Sequence, residues 1–302
     1  MNDKKVIVSK ANDLIAASYS LTFREQRLLL AAISLVYPKE EMPKEIVVSA
    51  EYYNSIFQVA NPYRDMKEAA ERLFERFLIF ENNIETGKVH WVSEIAAAKN
   101  KGHVRVVFTD AMMPYLSLLS QRFSTYDLRR IAKLSSGHSI RIFEMLNQFK
   151  STGMLVIKID ELRRRLQLPA SYDRLSNLKG KVLDVALAEI NGSAGFNVVY
   201  ETLYEGRTAT TLVFRFTDTW TAEGPVPGVS NQNEGRVEAG KQTQTHTKAS
   251  TNTPEKTLKR TEQNLPAKAN DEKLPAVDKD KGRAYMNNIK RIVGRKYIKP
   301  GN

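Results

Sequence analysis

Arg174, Asn177 and Lys181 recur at i, i+3 and i+7 within the stretch Tyr172 to Asn191, YDRLSNLKGKVLDVALAEIN. That spacing lines side chains along one face of an α-helix. Their chemistry is that of a nucleic-acid reader: a guanidinium takes guanine with two bonds, a carboxamide takes adenine, and an ammonium suits a phosphate or a base edge. Ser176 and Lys179 flank the same turns, and Gly180 lets the helix backbone come close to a groove floor. Lys179 leans toward the packed face, so which of Lys179 and Lys181 reads bases stays open at this level. Arg207, in Glu205-Gly206-Arg207-Thr208, either touches a nucleic-acid backbone or minor groove or is simply part of a turn. Arg64 and Lys67 lie in an earlier stretch together with Glu68, Glu71 and Glu75, a mixture that suits weaker, phosphate-type contacts. Arg163, Arg164 and Arg165 read equally as phosphate clamps or as solvated surface.

Catalysis has little to build on. The four histidines, His90, His103, His138 and His246, form no H-x-H or H-E-x-x-H arrangement, and there is no cysteine. Gly-Lys occurs at Gly87, Gly180 and Gly240 and is never followed by Ser or Thr, which excludes a P-loop of the usual form. The reading is of a binding protein, not an enzyme, with no cofactor and no metal.

Several elements must position these residues. Leu175, Leu178, Val182, Leu183, Ala186, Leu187 and Ile190 give the Tyr172 to Asn191 helix one buried stripe opposite its polar face. Ile159 to Leu168 predicts a short amphipathic helix before it, with Pro169-Ala170-Ser171 as the break. FNVVYETL and TTLVFRF after Gly192 predict two strands joined at Gly206. Helix, short turn, helix and hairpin make a winged helix, which can lay its second helix in a DNA major groove. In the first half, Lys10 to Ser18 and Thr22 to Val36 predict helices, the second with a Thr22/Glu25 capping box. Ile46 to Val48 predicts a strand, Ala50 to Phe57 a helix, and Tyr63 to Phe80 a long helix with Met66, Ala70, Leu73, Phe74 and Phe77 buried. Strands follow around Lys88 to Ile95 and His103 to Phe108.

Sliding the chain by 109 residues exposes an internal repeat: Val48 falls on Ile157, Phe57 on Leu166, Gln58 on Gln167, Tyr63 on Tyr172, Leu73 on Val182, Phe74 on Leu183 and Leu78 on Leu187. The expected fold class is therefore α+β, with two tandem winged-helix domains over residues 1–122 and 123–220, joined around Met112 to Tyr126. Residues 221–302, rich in Gly, Pro, Thr, Gln, Asn and Lys, are expected to form a disordered basic tail. Its last twenty residues read as a short helix folding on DNA or a partner, or as a solvated basic end.

The run Leu128 to Phe216 resembles the C-terminal half of the iteron-binding plasmid replication initiators, the Rep proteins of theta-replicating plasmids. The resemblance rests on IRIFEML at Ile140 to Leu146, on the helix ending VLDVALAEIN, and on the closing LVFRF strand. Asn12-Asp13-Leu14-Ile15 followed by YSLTFREQRLLLAAISLV is similar to that family's opening, so the likeness spans roughly residues 6 to 217. It implies double-stranded origin DNA with direct repeats as ligand, host replication initiation proteins and helicase as partners, and origin opening without catalysis. It also implies a homodimer in equilibrium with monomer, the dimer repressing and the monomer initiating. The family's basic run in this helix is interrupted here by Gly180. A winged-helix transcriptional repressor with no replication role is the alternative that the fold alone leaves open.

Charge points the same way. The net charge is +12 at pH 7, an excess that suits a polyanionic partner. Residues 221–302 carry 16 Lys and Arg against 9 Asp and Glu, which leaves 30 against 25 for the rest, so the excess is not confined to the tail. No apolar run approaches the ~18 residues of a membrane span. The expectation is a soluble protein of the bacterial cytoplasm, away from the membrane.

Overall fold

The computed structural model describes residues 6–36, 39–41, 43–81, 86–100, 102–117, 119, 122–221 and 224–225. The tail expected over 221–302 lies outside them except at 221 and 224–225. The chain opens with strand β1 (Ile7–Ala11) and a short helix α1 (Asn12–Ala16), then helix α2 (Phe23–Ser34). Thr22 and Glu25 form the expected capping box: the Thr22 hydroxyl accepts from the Glu25 N–H at 3.3 Å and the Glu25 carboxylate accepts from the Thr22 N–H at 2.9 Å. Strand β2 (Glu45–Ser49), helices α3 (Ala50–Phe57) and α4 (Pro62–Phe74), the hairpin β3 (Phe77–Glu81) and β4 (Thr86–His90), and strands β5 (Val92–Ala97) and β6 (His103–Phe108) follow. After helix α5 (Met113–Leu116) and strand β7 (Phe123–Asp127) come helix α6 (Gly137–Asn147), strand β8 (Met154–Lys158) and helix α7 (Ile159–Leu166). Helix α8 (Leu175–Leu178), a π-helical turn (Lys179–Leu183), helix α9 (Asp184–Ser193) and strands β9 (Phe196–Glu205) and β10 (Thr208–Asp218) complete the second half.

The repeat is a repeat of backbone. Strands order as β2-β6-β5 in the first sheet and β8-β10-β9 in the second, each antiparallel, with the early strand paired to the last strand of the wing. Helices α3 and α7 both end on a glutamine in the left-handed region, Gln58 at φ 49° and Gln167 at φ 47°, 109 residues apart. A non-glycine residue pays a conformational cost there. Its recurrence at the same place shows that the sharp turn into the following helix is common to both copies. These are two winged helices in tandem.

Four sequence expectations are corrected. The strand expected around Lys88 to Ile95 is two strands broken at Trp91, with β4 paired to β3 and β5 paired to β6. The first part of Lys10 to Ser18 is not helix: Ile7–Ala11 pairs antiparallel with β7, from Ile7 opposite Asp127 to Ala11 opposite Phe123, and helix occupies only Asn12–Ala16. A partner more than a hundred residues away outweighs local preference. The long helix of the first domain stops at Phe74, which is 42% exposed, and Phe77–Glu81 is a strand. Phe77-Leu-Ile-Phe is aromatic and β-branched, and as a strand it buries Leu78 while Ile79 exchanges backbone hydrogen bonds with Ser18 at 2.8 and 3.2 Å. The helix-to-helix register of the repeat therefore ends at Phe74, and Leu78 has no helical counterpart of Leu187. Finally, Tyr172 to Asn191 is not one uniform α-helix: it opens with a 3-10 turn at Ala170–Tyr172 and carries the π-helical turn in its middle.

A buried ionic cluster ties the N-terminal segment to α6. The Glu144 carboxylate accepts from Lys10 Nζ at 2.9 and 3.0 Å, from the Tyr126 hydroxyl at 2.8 Å and from the Tyr19 hydroxyl at 3.5 Å. Arg141 donates to the carbonyls of Ile15 and Ala17 at 3.0 and 2.9 Å, and its guanidinium lies 3.6 Å from the Tyr19 ring centroid. Lys10 and Glu144 are each 1% exposed. Burial disfavours the Lys10 charge, but the Glu144 carboxylate and Tyr19 more than offset it and hold its pKa above the usual value. Burial, and then the Glu144 charge, push the Tyr126 hydroxyl well above its usual value.

Lys10→Met leaves the buried Glu144 carboxylate with only the more distant Arg141, at 3.7 Å, as a cation and is expected to cost ~3–5 kcal/mol in urea unfolding. A loss below about 0.5 kcal/mol would show that the cluster does not hold the fold. Both raised pKa values belong to groups that the unfolded chain deprotonates first, at about 10.0 for tyrosine and 10.5 for lysine. Above about pH 10 the folded state holds more protons than the unfolded one, so stability falls as pH rises. Urea midpoints measured from about pH 8 to pH 11 should show this fall, and Tyr126→Phe should make it shallower.

Candidate nucleic-acid interface

The polar helix of the second domain begins in a braced turn. Arg163 Nε donates to the Tyr172 carbonyl at 3.2 Å and Nη2 to the Asp173 carbonyl at 2.6 Å, while Nη1 pairs with Asp160 at 3.0 Å. Arg164 and Arg165 both bond Glu161, at 2.8 Å and 2.6 Å. Burial works against the Glu161 charge, and these hydrogen bonds overcome it and hold the carboxyl below the usual carboxylate range. Of the two readings of Arg163–Arg165, Arg163 departs from both, since it organises the turn itself.

On the packed side, Leu178, Val182, Leu183, Ala186, Leu187 and Ile190 are buried and Leu175 is half-buried, and α9 packs on α6 and β9. The apolar stripe thus sits where the spacing placed it. On the other side Arg174, Ser176, Gly180 and Lys181 are exposed. A Cβ added at Gly180 would meet no atom within 4 Å, so this stretch of helix surface is open. Asn177 is half-buried, and its Nδ2 donates to the Ser171 carbonyl at 2.7 Å. Lys179 is also half-buried, with Nζ 5.9 Å from the Tyr200 ring centroid. The Tyr200 hydroxyl donates to Asp184 at 2.9 Å, and burial followed by that bond pushes its pKa up to about 12. Lys179 therefore lies toward β9 while Lys181 points outward. The π-helical turn spans both lysines, and a wider turn shifts the angular position of everything beyond it.

The wing is the β9–β10 hairpin, with Glu205 paired to Thr208 across a two-residue turn. Gly206 takes φ 62° at the first central position, a left-handed conformation that glycine adopts without penalty. Arg207 is exposed at the tip, and a cleft between wing and helix start is lined by Lys158, Asp160, Asp173, Arg207 and Thr208, a mixture of signs.

In the first domain Arg64 and Lys67 are exposed on α4. Lys67 pairs with Glu71 at 3.8 Å. Arg24 of α2 binds Asp65 at 3.0 Å and Glu68 at 3.2 Å. So Arg174, Ser176 and Lys181 are exposed along this helix, Asn177 and Lys179 are half-buried against the protein, Arg207 is on the wing and Arg64 and Lys67 are in the other domain. Sequence reasoning missed Tyr200 and Arg24, and it placed Asp184 on the polar arc of the helix without its partner. The alternation along β9 put Tyr200 on the inward face, but nothing in the spacing announced its bond to the helix.

Among the described residues no group of three or more His, Cys, Asp or Glu is arranged to hold a metal ion, and no helix is long and apolar enough to cross a membrane.

Comparison with known proteins gives this geometry a family. Residues 7–147 match "Initiator Replication protein, WH1" and residues 158–216 match "Initiator Rep protein, WH2", together well over half of the chain. A replication initiation protein of Escherichia coli is 28% identical over 224 residues, covering 70% of this chain and 69% of its own length. An uncharacterized 27.6 kDa protein of Escherichia coli is 29% identical over 206 residues, covering 63% of this chain and 86% of its own. The Pi initiator protein, solved in complex with iteron DNA, superposes with a TM-score of 0.62 at 22% identity over 72% of this chain and 98% of that one, which speaks to the fold. With both of its winged-helix modules present in order, the chain belongs to the family of replication initiator proteins.

Proposed function

We propose that this chain initiates plasmid replication by binding directly repeated origin sequences, iterons, through both winged helices. The second domain reads sequence and the first grips the strand. The observation that carries this reading is the exposure of Arg174, Ser176 and Lys181 along the second domain's helix, with an unobstructed Gly180 among them and Arg207 exposed at the wing tip. Arg174 and Lys181 meet base edges, Ser176 a base edge or phosphate, and Arg207 the adjacent backbone or minor groove. Lys179, drawn toward Tyr200, and Asn177, tied to the Ser171 carbonyl, orient the helix and contribute less to reading. Arg64 and Lys67 make phosphate contacts.

In this reading the protein is not a catalyst. It lowers the cost of opening the neighbouring duplex through binding energy and assembles host initiation proteins and helicase there. A homodimer in equilibrium with the monomer represses the protein's own gene, and the site of action is the bacterial cytoplasm. Membership of the initiator family and the fold shared with a protein crystallised on iteron DNA support it.

The test is a gel-shift titration of the full chain on a duplex carrying the origin's direct repeats and on a scrambled duplex of the same length. At physiological salt the repeats should be preferred by about 10³-fold or more, and equal affinity would overturn the reading. On the repeat duplex, Arg174→Ala and Lys181→Ala should each cost ~1–3 kcal/mol of specific binding, and Lys179→Ala clearly less. The reverse order for the two lysines would put Lys179 at the bases.

A further inference from the structure

The second domain's helix carries one outward side chain that the roles above leave unused, and it is apolar. Val185, near the start of α9, is 44% exposed, and among the described residues it is the only large apolar side chain exposed along this helix. Val182, Leu183, Ala186 and Leu187 around it are buried, while Lys181, four residues earlier, is exposed. Residues four apart share a helix face, so Val185 continues the outward surface of Lys181. A lone exposed apolar side chain is ordinary on a protein surface, and Val47, Val199 and Leu203 are examples in this chain. Those three lie on strands, where a branched or bulky side chain is at home. In a helix, valine is a poorer choice than alanine, lysine or glutamate, so exposure to solvent gives no reason for it here.

Two features suit Val185 to a specific contact. A β-branched side chain in a helix holds one rotamer, so its methyl groups are fixed before any ligand arrives. The adjacent carboxylate, Asp184, accepts from the Tyr200 hydroxyl at 2.9 Å, which ties the neighbouring negative charge back to β9. In a major groove, the group that a rigid pair of methyls can recognise is the C5-methyl of thymine. Four residues of helix rise ~6 Å, about two base-pair steps. A thymine read by Val185 therefore lies close to the base that Lys181 meets.

We propose that Val185 reads a thymine in each direct repeat through van der Waals contact with its C5-methyl. The proposal rests on the DNA-binding reading above and deepens it. Arg174 and Lys181 select by charge and hydrogen bonds, and Val185 adds a preference that depends on a methyl group alone.

Full-length wild type and Val185→Ala are titrated on the repeat duplex and on a set in which each thymine of the repeat is replaced, one at a time, by deoxyuridine. That replacement removes one methyl group and leaves every hydrogen-bonding group of the base in place. Val185 is outside the core and alanine is the better helix former, so the variant keeps the fold. At one thymine the replacement should weaken wild type about fourfold, the worth of one buried carbon. That thymine should lie within about two base pairs of the position to which Lys181→Ala becomes indifferent. Val185→Ala should bind the thymine duplex at least as weakly as wild type binds the deoxyuridine one, and lose nothing further when the methyl is removed. A replacement that costs both proteins equally overturns the proposal, because another side chain then reads the methyl. So does a set in which no replacement weakens wild type, or a Val185→Ala variant that binds the repeats as wild type does. The preference for repeats over the scrambled duplex is read from the same titrations. Where it holds and the valine effects are absent, only Val185 loses its role; where it is absent, the reading of this helix fails and the proposal falls with it.

Discussion

The Glu144 carboxylate, 1% exposed, is the constraint around which the described fold is assembled. A buried carboxylate without partners costs several kcal/mol, and its donors here come from three distant stretches: Lys10 on β1, Tyr19 after α1 and Tyr126 on β7. Together with the Arg141 guanidinium at 3.7 Å, they compensate the buried charge. Arg141, one turn earlier on α6, holds the backbone between Ile15 and Ala17. The segment so held then reaches α7: the Ser18 hydroxyl donates to the Arg164 carbonyl at 2.6 Å and the Gln167 side chain donates to the Ser18 carbonyl at 3.1 Å. The N-terminal segment therefore helps set where α7 ends and the polar helix of the second domain begins.

A second buried carboxylate plays a corresponding part at the start of α2. Glu25 caps α2 and also takes Arg76 at 3.1 and 3.2 Å, which fixes the corner where α4 gives way to β3. Both carboxylates work the same way: a polar side chain that satisfies a helix end or a buried charge is also the joint to another element. The copies differ in what they leave free. In the second, Arg163, Arg164 and Arg165 are engaged around the turn, and the outward face of the helix is left to Arg174, Ser176 and Lys181. In the first, Arg24 is engaged by Asp65 and Glu68, and the exposed Arg64 sits at the start of α4.

Much of this was legible in the residues. The 109-residue repeat located both helix-turn-helix units, because apolar periodicity records which face of an element is buried and two copies of one fold record it twice. The Thr22 and Glu25 cap was legible for a similar reason, since its partners are three residues apart. Where the reading overran, the deciding partner was remote. Phe74 and Phe77 fit an apolar helix stripe, yet β4 and Ser18 claim the segment after the helix end. Lys10 sits beside a helix-forming run, yet β7 and Glu144 claim it for a strand and a buried ion pair.

By itself, then, the sequence determined the class of fold, the order of its two modules, the buried stripe of the polar helix and the cationic character of its other face, since all of these follow from local periodicity and composition. Which of those cations stand free was a matter of tertiary structure. Lys179 and Lys181 are two residues apart and chemically alike. The π-helical turn and the Tyr200 ring on β9 draw the first against the protein and leave the second in the open. The helical spacing already leaned Lys179 toward the packed face, but the ring it settles against belongs to a strand some twenty residues downstream that folds back over the helix, and no local pattern encodes that contact.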